Sequence, residues 1–217
     1  MTVHFVNLLD DLRRRSLRMA ALVEDILNEA CDALLLGDEN LARRVILRDE
    51  GVDAEEVEVE KEVIRLLALY QPVGTDLRLL CTILKVNNDF ERIADCAVNV
   101  AERAKHLVDH PVYRADVEIR ELCNVVQQTL RRAIQAYGAE DLEAAQAIRR
   151  GDTVIDDLYA RIIKDFTAEG ATGPDNTAAM LDALSVAKNL ERIADHATNI
   201  AEDVIYLITG QIVRHQS

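Results

Sequence analysis

The sequence contains no tryptophan, and aromatic residues make up only 4% of its 217 positions. This scarcity argues against a surface that stacks on bases or sugars, because such a surface needs several aromatic rings. Turn-forming residues are also few, with 3 prolines and 8 glycines. A β-rich fold needs many such residues at its turns, so their scarcity favours an all-α fold with long helices.

Basic residues are in short supply too, since 25 lysines and arginines stand against 39 aspartates and glutamates and the formal net charge is −14. A chain this acidic is poorly suited to bind the phosphates of nucleic acid or an anionic membrane surface. No apolar run reaches the roughly 20 residues of a membrane span, and the first residues lack the apolar stretch of a signal peptide. We therefore expect a cytoplasmic protein that binds no nucleic acid and does not insert into a membrane.

The four cysteines, Cys31, Cys81, Cys96 and Cys123, are scattered and form no Cys-x-x-Cys pair. Their spacing argues against a zinc knuckle and a thioredoxin-type redox motif. Free thiols that pack as small apolar groups are expected, which suits a reducing cytoplasm.

Helix-breaking residues divide the chain into six segments of about 27–37 residues. Within the segments, apolar residues recur at spacings of three and four, which is typical of helices packed in a bundle. Six long helices joined by short turns predict antiparallel neighbours. The breaks are expected at Gly37, at Pro72 with Gly74, at Pro111, at Gly138 and at 170–174.

An internal repeat relates residues 84–107 to residues 184–207 at an offset of 100, with twelve of the 24 positions identical. Both segments contain Glu-Arg-Ile-Ala-Asp. The preceding helices match at an offset of 103. We therefore predict two tandem, internally repeated antiparallel three-helix bundles, one in residues 1–110 and one in residues 111–217.

Acidic residues occupy seam positions where apolar residues are expected. In the second segment, steps of four and three pass through Val45, Asp49, Val52, Glu56, Val59, Val63, Leu66 and Tyr70. Each half of the chain offers two carboxylate pairs in which the members are one helical turn apart. The pairs are Asp49 with Asp53, Glu91 with Asp95, Asp152 with Asp156, and Glu191 with Asp195.

Clustered carboxylates on a mostly apolar face repel one another and are costly to bury, so they need compensation. One interpretation is a solvated acidic stripe on the outside of the bundle. Pairing with Arg92 and Arg192 is another, although both lie about 100° around the helix from the preceding glutamates. Oxygen ligands also suit hard cations such as Fe³⁺, Mg²⁺, Mn²⁺ or Ca²⁺, and zinc accepts them. Because the pairs recur within and between the halves, a metal site is the favoured interpretation.

Several segments resemble the PhoU family, and the resemblance covers the whole chain. The segments are the two Glu-Arg-Ile-Ala-Asp motifs, the upstream Asp-x3-Asp pairs and the run Leu67-x2-Tyr70-Gln71-Pro72-x3-Asp76-Leu77-Arg78. The resemblance implies two three-helix bundles, each with a multinuclear metal cluster in which iron or zinc is expected and magnesium or manganese is an alternative. The implied ligands are Asp49, Asp53, Glu91, Asp95, Asp152, Asp156, Glu191 and Asp195.

The sequence departs from the family pattern at a few positions. Ala94 and Ala194 replace a common glycine, and Cys96 replaces a common histidine that His196 keeps; neither Cys96 nor His196 is expected to be a ligand. Glu56 has Tyr159 as its counterpart, so the two clusters are expected to differ in nuclearity or occupancy.

The resemblance implies a regulator and not an enzyme. PhoU proteins couple a phosphate-specific ABC transporter to a sensor histidine kinase and repress the phosphate-starvation response, and a homodimer is expected. The opposing class is a di-iron carboxylate oxidase or metal store, which usually needs a Glu-x-x-His motif that this sequence lacks. A purely structural coiled coil predicts fully apolar seams, which Asp49 and Glu91 contradict. No Gly-x-Ser-x-Gly motif or Gly-rich phosphate loop indicates nucleophilic catalysis.

Overall fold

The computed structural model describes residues 3–114, 116–151, 153–169 and 173–213, and every regular element within these ranges is a helix. None of the described helices combines the length and apolarity needed to cross a membrane. The helices are α1 (Val3–Leu36), α2 (Glu39–Leu47), α3 (Asp49–Tyr70), α4 (Gly74–His106), α5 (Pro111–Arg114), α6 (Val117–Ala139), α7 (Leu142–Arg150), α8 (Thr153–Glu169) and α9 (Pro174–Thr209).

The turns between the long segments follow ordinary capping chemistry. Gly37 ends α1 with a φ of 70°, a left-handed conformation that glycine adopts without strain. Asp38 then caps α2, because its carboxylate accepts the N–H groups of Asn40 and Leu41. Asp141 caps α7 in the same way 103 positions later, which agrees with the repeat offset. Gly138 is not the break that the sequence predicts, since α6 continues to Ala139.

The second and fifth segments are each divided in two, which corrects the prediction of single helices there. In the first half the division is at Arg48, whose N–H bonds the carbonyl of Val45 and whose side chain lies 2.8 Å from Glu29 of α1. No proline or glycine marks this position, so the sequence pattern did not reveal it. The division places Asp49 in the first turn of α3, where exposed backbone N–H groups favour a carboxylate. In the second half, Gly151 follows α7 at the corresponding place.

The two halves share one apolar core. Helices α1 to α4 form one bundle and α6 to α9 the other, and the most extensive contact between helices is that of α4 with α9. The main cluster of buried residues draws on helices from both halves, and a second cluster, from Phe5 to Ile83, belongs to the first half alone. The boundary between residues 110 and 111 stays a prediction.

Polar pairs also cross the contact between α4 and α9. Nδ1 of His196 lies 2.8 Å from Oδ1 of Asp89, and Nζ of Lys85 donates to Oδ1 of the buried Asp203 at 3.1 Å. Buried charged groups are retained when they are paired, so these contacts fix how the two helices align. All four cysteines are free, as predicted, and Cys31, Cys96 and Cys123 are buried.

Phe90→Ala is expected to lower the free energy of unfolding by about 3–5 kcal/mol, the usual cost of removing a buried aromatic ring. Phe90 is fully buried on α4, and its ring meets the ring of Tyr137 on α6 with centroids 6.2 Å apart. Chemical denaturation followed by the helical circular dichroism signal measures the change. Leu47→Ala, at a side chain that is 79% exposed, is the matched control and should change little. Equal effects of the two substitutions would contradict the shared core.

Candidate metal centre

The first-half carboxylates lie along the contact between α3 and α4. Asp49 and Asp53 occupy the first two turns of α3, and Glu91 and Asp95 occupy successive turns of α4, which packs against α3. Asp49, Glu91 and Asp95 are half-buried, whereas Asp53 is exposed. Five apolar residues of the seam predicted for the second segment are fully buried: Val45 of α2, and Val52, Val59, Val63 and Leu66 of α3.

Asp49 lies in an environment that disfavours its charged form. Burial is the largest influence on its carboxyl and raises its pKa, and Asp53 and Asp95 raise this pKa further. The influence of Asp95 means that the carboxylates of α3 and α4 act on one another across the helix contact. Oδ1 of Asp49 is buried and has no hydrogen-bond partner among the described residues. A buried carboxylate oxygen without a partner is costly, so this position favours a cation or a proton.

Glu91 is in a similar environment on α4. Burial raises its pKa, Asp95 raises it further, and the influence of Arg92 in the opposite direction does not reverse the shift. Asp53 also acts on Glu91 across the contact between the helices. Burial and mutual repulsion therefore outweigh the nearby guanidinium, and the first-half cluster is under-compensated.

Arg92 contacts the cluster more closely than its position on the helix predicted. Its Nε lies 3.2 Å from Oε2 of Glu91, and its Nη1 lies 3.6 Å from Oδ2 of Asp95. An offset of about 100° does not prevent these contacts, because the arginine side chain is long enough to fold back along its own helix. The side chain of Arg92 is half-exposed, so water screens both ion pairs and weakens them.

Two acids outside the predicted ligand set also belong to this surface. Glu56, on the α3 seam, has a pKa that burial raises first and that Glu60 and Asp53 raise further. Glu102 follows Asp95 by one heptad on α4 and raises the pKa of Asp49. The sequence contained a signal for Glu102, since Glu102 and Glu202 are identical in the internal repeat.

The second half carries the same motif with different charges around it. Asp152 lies outside the described residues. Asp156, in the first turn of α8, and Asp195, on α9, are exposed, whereas Glu191 is half-buried. Nζ of Lys188 donates to Oε2 of Glu191 at 2.6 Å. A lysine ammonium is therefore already paired with the glutamate of this motif.

Cys96 and His196 occupy equivalent positions in the repeat and differ in their surroundings. Burial raises the pKa of the Cys96 thiol. Nδ1 of His196 faces Asp89 of α4 at 2.8 Å. One of the two ring nitrogens of His196 is thus engaged in the contact between the halves.

The first-half acids have the right donor atoms for a hard cation, but they do not lie close enough together to bind one without moving. Among the described residues, no three histidine, cysteine, aspartate or glutamate side chains converge closely enough to form a ready-made metal site. The first-half acids nevertheless supply only oxygen donors, as hard cations prefer, and Asp49 adds a buried oxygen without a partner. Like-charged carboxylates spread apart unless a cation lies between them. The eight-residue ligand set therefore stays a prediction, and its first-half part fits a cation.

Comparison with known proteins matches both halves of the chain to the PhoU family. A sequence profile of the PhoU domain matches residues 16–104 and 119–204. The chain is 36% identical over 208 residues to the phosphate-specific transport system accessory protein PhoU homolog of Pseudomonas aeruginosa, which covers 95% of this chain and 86% of that protein. It is 34% identical over 206 residues to the homolog of Clostridium acetobutylicum, with 94% of each chain covered.

Solved structures agree with the fold. The crystal structure of PhoU from Pseudomonas aeruginosa superposes with a TM-score of 0.90 at 35% identity and covers 95% of this chain and 100% of that chain. The phosphate transport system regulatory protein PhoU from Streptococcus pneumoniae superposes with a TM-score of 0.86 at 26% identity, with 96% and 99% covered. The predicted all-α architecture of tandem bundles is confirmed.

Asp49→Asn combined with Glu91→Gln is expected to stabilise the metal-free protein at neutral pH. Both carboxyls have a raised pKa in the folded protein, so their charged forms cost stability once the pH rises through the folded pKa. Below the unfolded pKa both acids are protonated in either state, and the double variant should gain little. Thermal melts in chelator, from about pH 4 to about pH 8, measure how the gain grows with pH.

Asp10→Asn, at an exposed position of α1, is the control for this series. Its difference from the unmodified protein should be small at every pH. A gain from the double variant that does not depend on pH would contradict the electrostatic account of the cluster.

Proposed function

Because this chain belongs to the PhoU family, we propose that it is a metal-binding, non-enzymatic regulator of phosphate uptake and signalling. It acts in the cytoplasm as a homodimer and links the ATPase of a phosphate-specific ABC transporter to a sensor histidine kinase. Through this link it represses the phosphate-starvation response. The observation that carries the proposal is the likeness to the Pseudomonas aeruginosa accessory protein over 95% of this chain.

The first-half cluster supports the metal-binding part of the proposal. Asp49, Asp53, Glu91 and Asp95 would hold iron or zinc, with magnesium or manganese as alternatives. When bound, such a cation supplies the positive charge that these acids lack. Asp49 contributes a buried oxygen from the start of α3, and Glu91 and Asp95 contribute oxygens from α4, so the ligands come from both sides of one helix contact.

The shared core and the charge of the chain support a docking role. Helices that pack into one core present their outer faces in a fixed arrangement, so two partners can be held at a defined separation. The net charge of −14 favours partners with basic surfaces and speeds their encounter at low salt.

Added metal is expected to raise the melting temperature of protein stripped with chelator, because a ligand that binds only the folded state stabilises it by mass action. Glu91→Gln removes one ligand and should abolish most of this shift. Thermal melts with zinc, manganese or iron measure the effect, and elemental analysis of protein purified without chelator identifies the metal. Asp10→Asn should keep the full shift. A melting temperature indifferent to every metal would remove the metal from the proposal.

Deletion of the gene is expected to switch on the phosphate-starvation response while phosphate is plentiful. Complementation with the unmodified gene should restore repression, and pull-down from the same cells should recover the transporter ATPase and the sensor kinase. Reporter expression at high phosphate measures repression. Starvation genes that stay silent in the deletion strain would refute the regulatory role.

A further inference from the structure

The two repeats differ at two positions beside their carboxylate motifs. At the repeat offset of 100, Lys188 of α9 corresponds to Asn88 of α4. At the offset of 103, Tyr159 of α8 corresponds to Glu56 of α3. The second half therefore has a cation where the first half has a neutral amide, and a tyrosine where the first half has an anion.

Lys188 is held in place from two sides. Its Nζ donates to Oε2 of Glu191 at 2.6 Å and lies 5.3 Å from the centre of the Tyr159 ring. The ammonium is therefore paired with Glu191 of the α9 motif, and the aromatic face adds a cation–π attraction.

The first half has no matching arrangement among its described residues. Asn88 is neutral and exposed, and Glu56 adds a fifth acid to the cluster. Arg92 approaches Glu91 only to 3.2 Å and is half-exposed, and the buried Oδ1 of Asp49 has no hydrogen-bond partner among the described residues. The same motif is therefore under-compensated in one half and paired with an ammonium in the other.

We propose that Lys188 is the built-in cation of the second-half motif, so that metal binds the first half and not the second. The proposal rests on the metal-binding function proposed for the first-half cluster. A divalent cation approaching Oε2 of Glu191 would have to displace an ammonium from a 2.6 Å contact, and one approaching Oε1 would be repelled by the same ammonium. The protein then carries one metal centre per chain, although its sequence repeats the ligand motif.

Exchanging the two residues between the halves tests the proposal. Tyr159→Glu with Lys188→Asn gives the second half the residues of the first, and Glu56→Tyr with Asn88→Lys does the reverse. Each full-length protein is stripped with chelator and titrated calorimetrically with zinc or manganese alone, and its melting temperature is measured with and without metal. Helical circular dichroism verifies that each variant is folded. If a double variant is unstable, the single variants Lys188→Asn and Asn88→Lys take its place in the titrations.

The proposal expects opposite results from the two exchanges. The variant with Tyr159→Glu and Lys188→Asn should bind additional metal. A further Glu191→Gln should remove that additional metal, whereas a further Glu91→Gln should not. Glu56→Tyr with Asn88→Lys should lose most of the metal that the unmodified protein binds. In the unmodified protein, Glu91→Gln should weaken binding at least about tenfold, whereas Glu191→Gln should leave it unchanged because Lys188 already holds that carboxylate.

Two results would overturn the proposal. One is a loss of metal from Glu191→Gln as large as that from Glu91→Gln, and the other is no additional metal in the second-half exchange. Failure of the first-half site gives a different pattern, in which the unmodified protein binds no metal. In that case a gain by the second-half exchange still upholds the role of Lys188, and no gain overturns this proposal together with the metal-binding function on which it rests.

Discussion

The packing of α4 against α9 is the contact on which the arrangement of both bundles depends. Both helices are rich in fully buried alanines, and small side chains of this kind let neighbouring helices approach closely: Ala94, Ala97, Ala101, Ala194, Ala197 and Ala201. Helices α1 and α6 then cover the pair and complete one core. Because α4 and α9 also carry the Glu-Arg-Ile-Ala-Asp segments, the helices that organise the core also fix the acidic groups at its edge.

The two halves show how one backbone can hold the same acids at different electrostatic cost. In the first half, burial and neighbouring carboxylates raise the pKa of Asp49 and Glu91, and a buried oxygen of Asp49 has no partner among the described residues. In the second half, Lys188 bonds Glu191 directly. A large apolar core tolerates the first arrangement, and the cost is relieved whenever a positive charge arrives. The first-half cluster can therefore respond to a bound cation, whereas the second-half motif is already paired with Lys188.

Sequence patterns predicted the features that depend on periodicity. The helical segments, the internal repeat and the burial of seam residues such as Val52 and Val59 follow from spacing alone, since a bundle buries one stripe of each helix. The division at Arg48 was not predictable, because it arises from packing on neighbouring helices and no breaker residue marks it. Contacts of long, flexible side chains were missed for a related reason. The bond of Lys188 and the approach of Arg92 depend on rotamers, which spacing does not encode.

The contact of Asp89 with His196 has a consequence for the ancestry of the chain. In a symmetric dimer of a single repeat, such a contact would occur twice, because each copy offers the same surface to the other. Here the equivalent positions hold Asn189 and Cys96, both buried, so only one of the two contacts is an aspartate–histidine pair. A chain with two covalently joined repeats can diverge in this way, whereas a homodimer of one repeat must change both contacts at once. Two repeats in one chain are therefore free to hold different side chains at equivalent positions of one core.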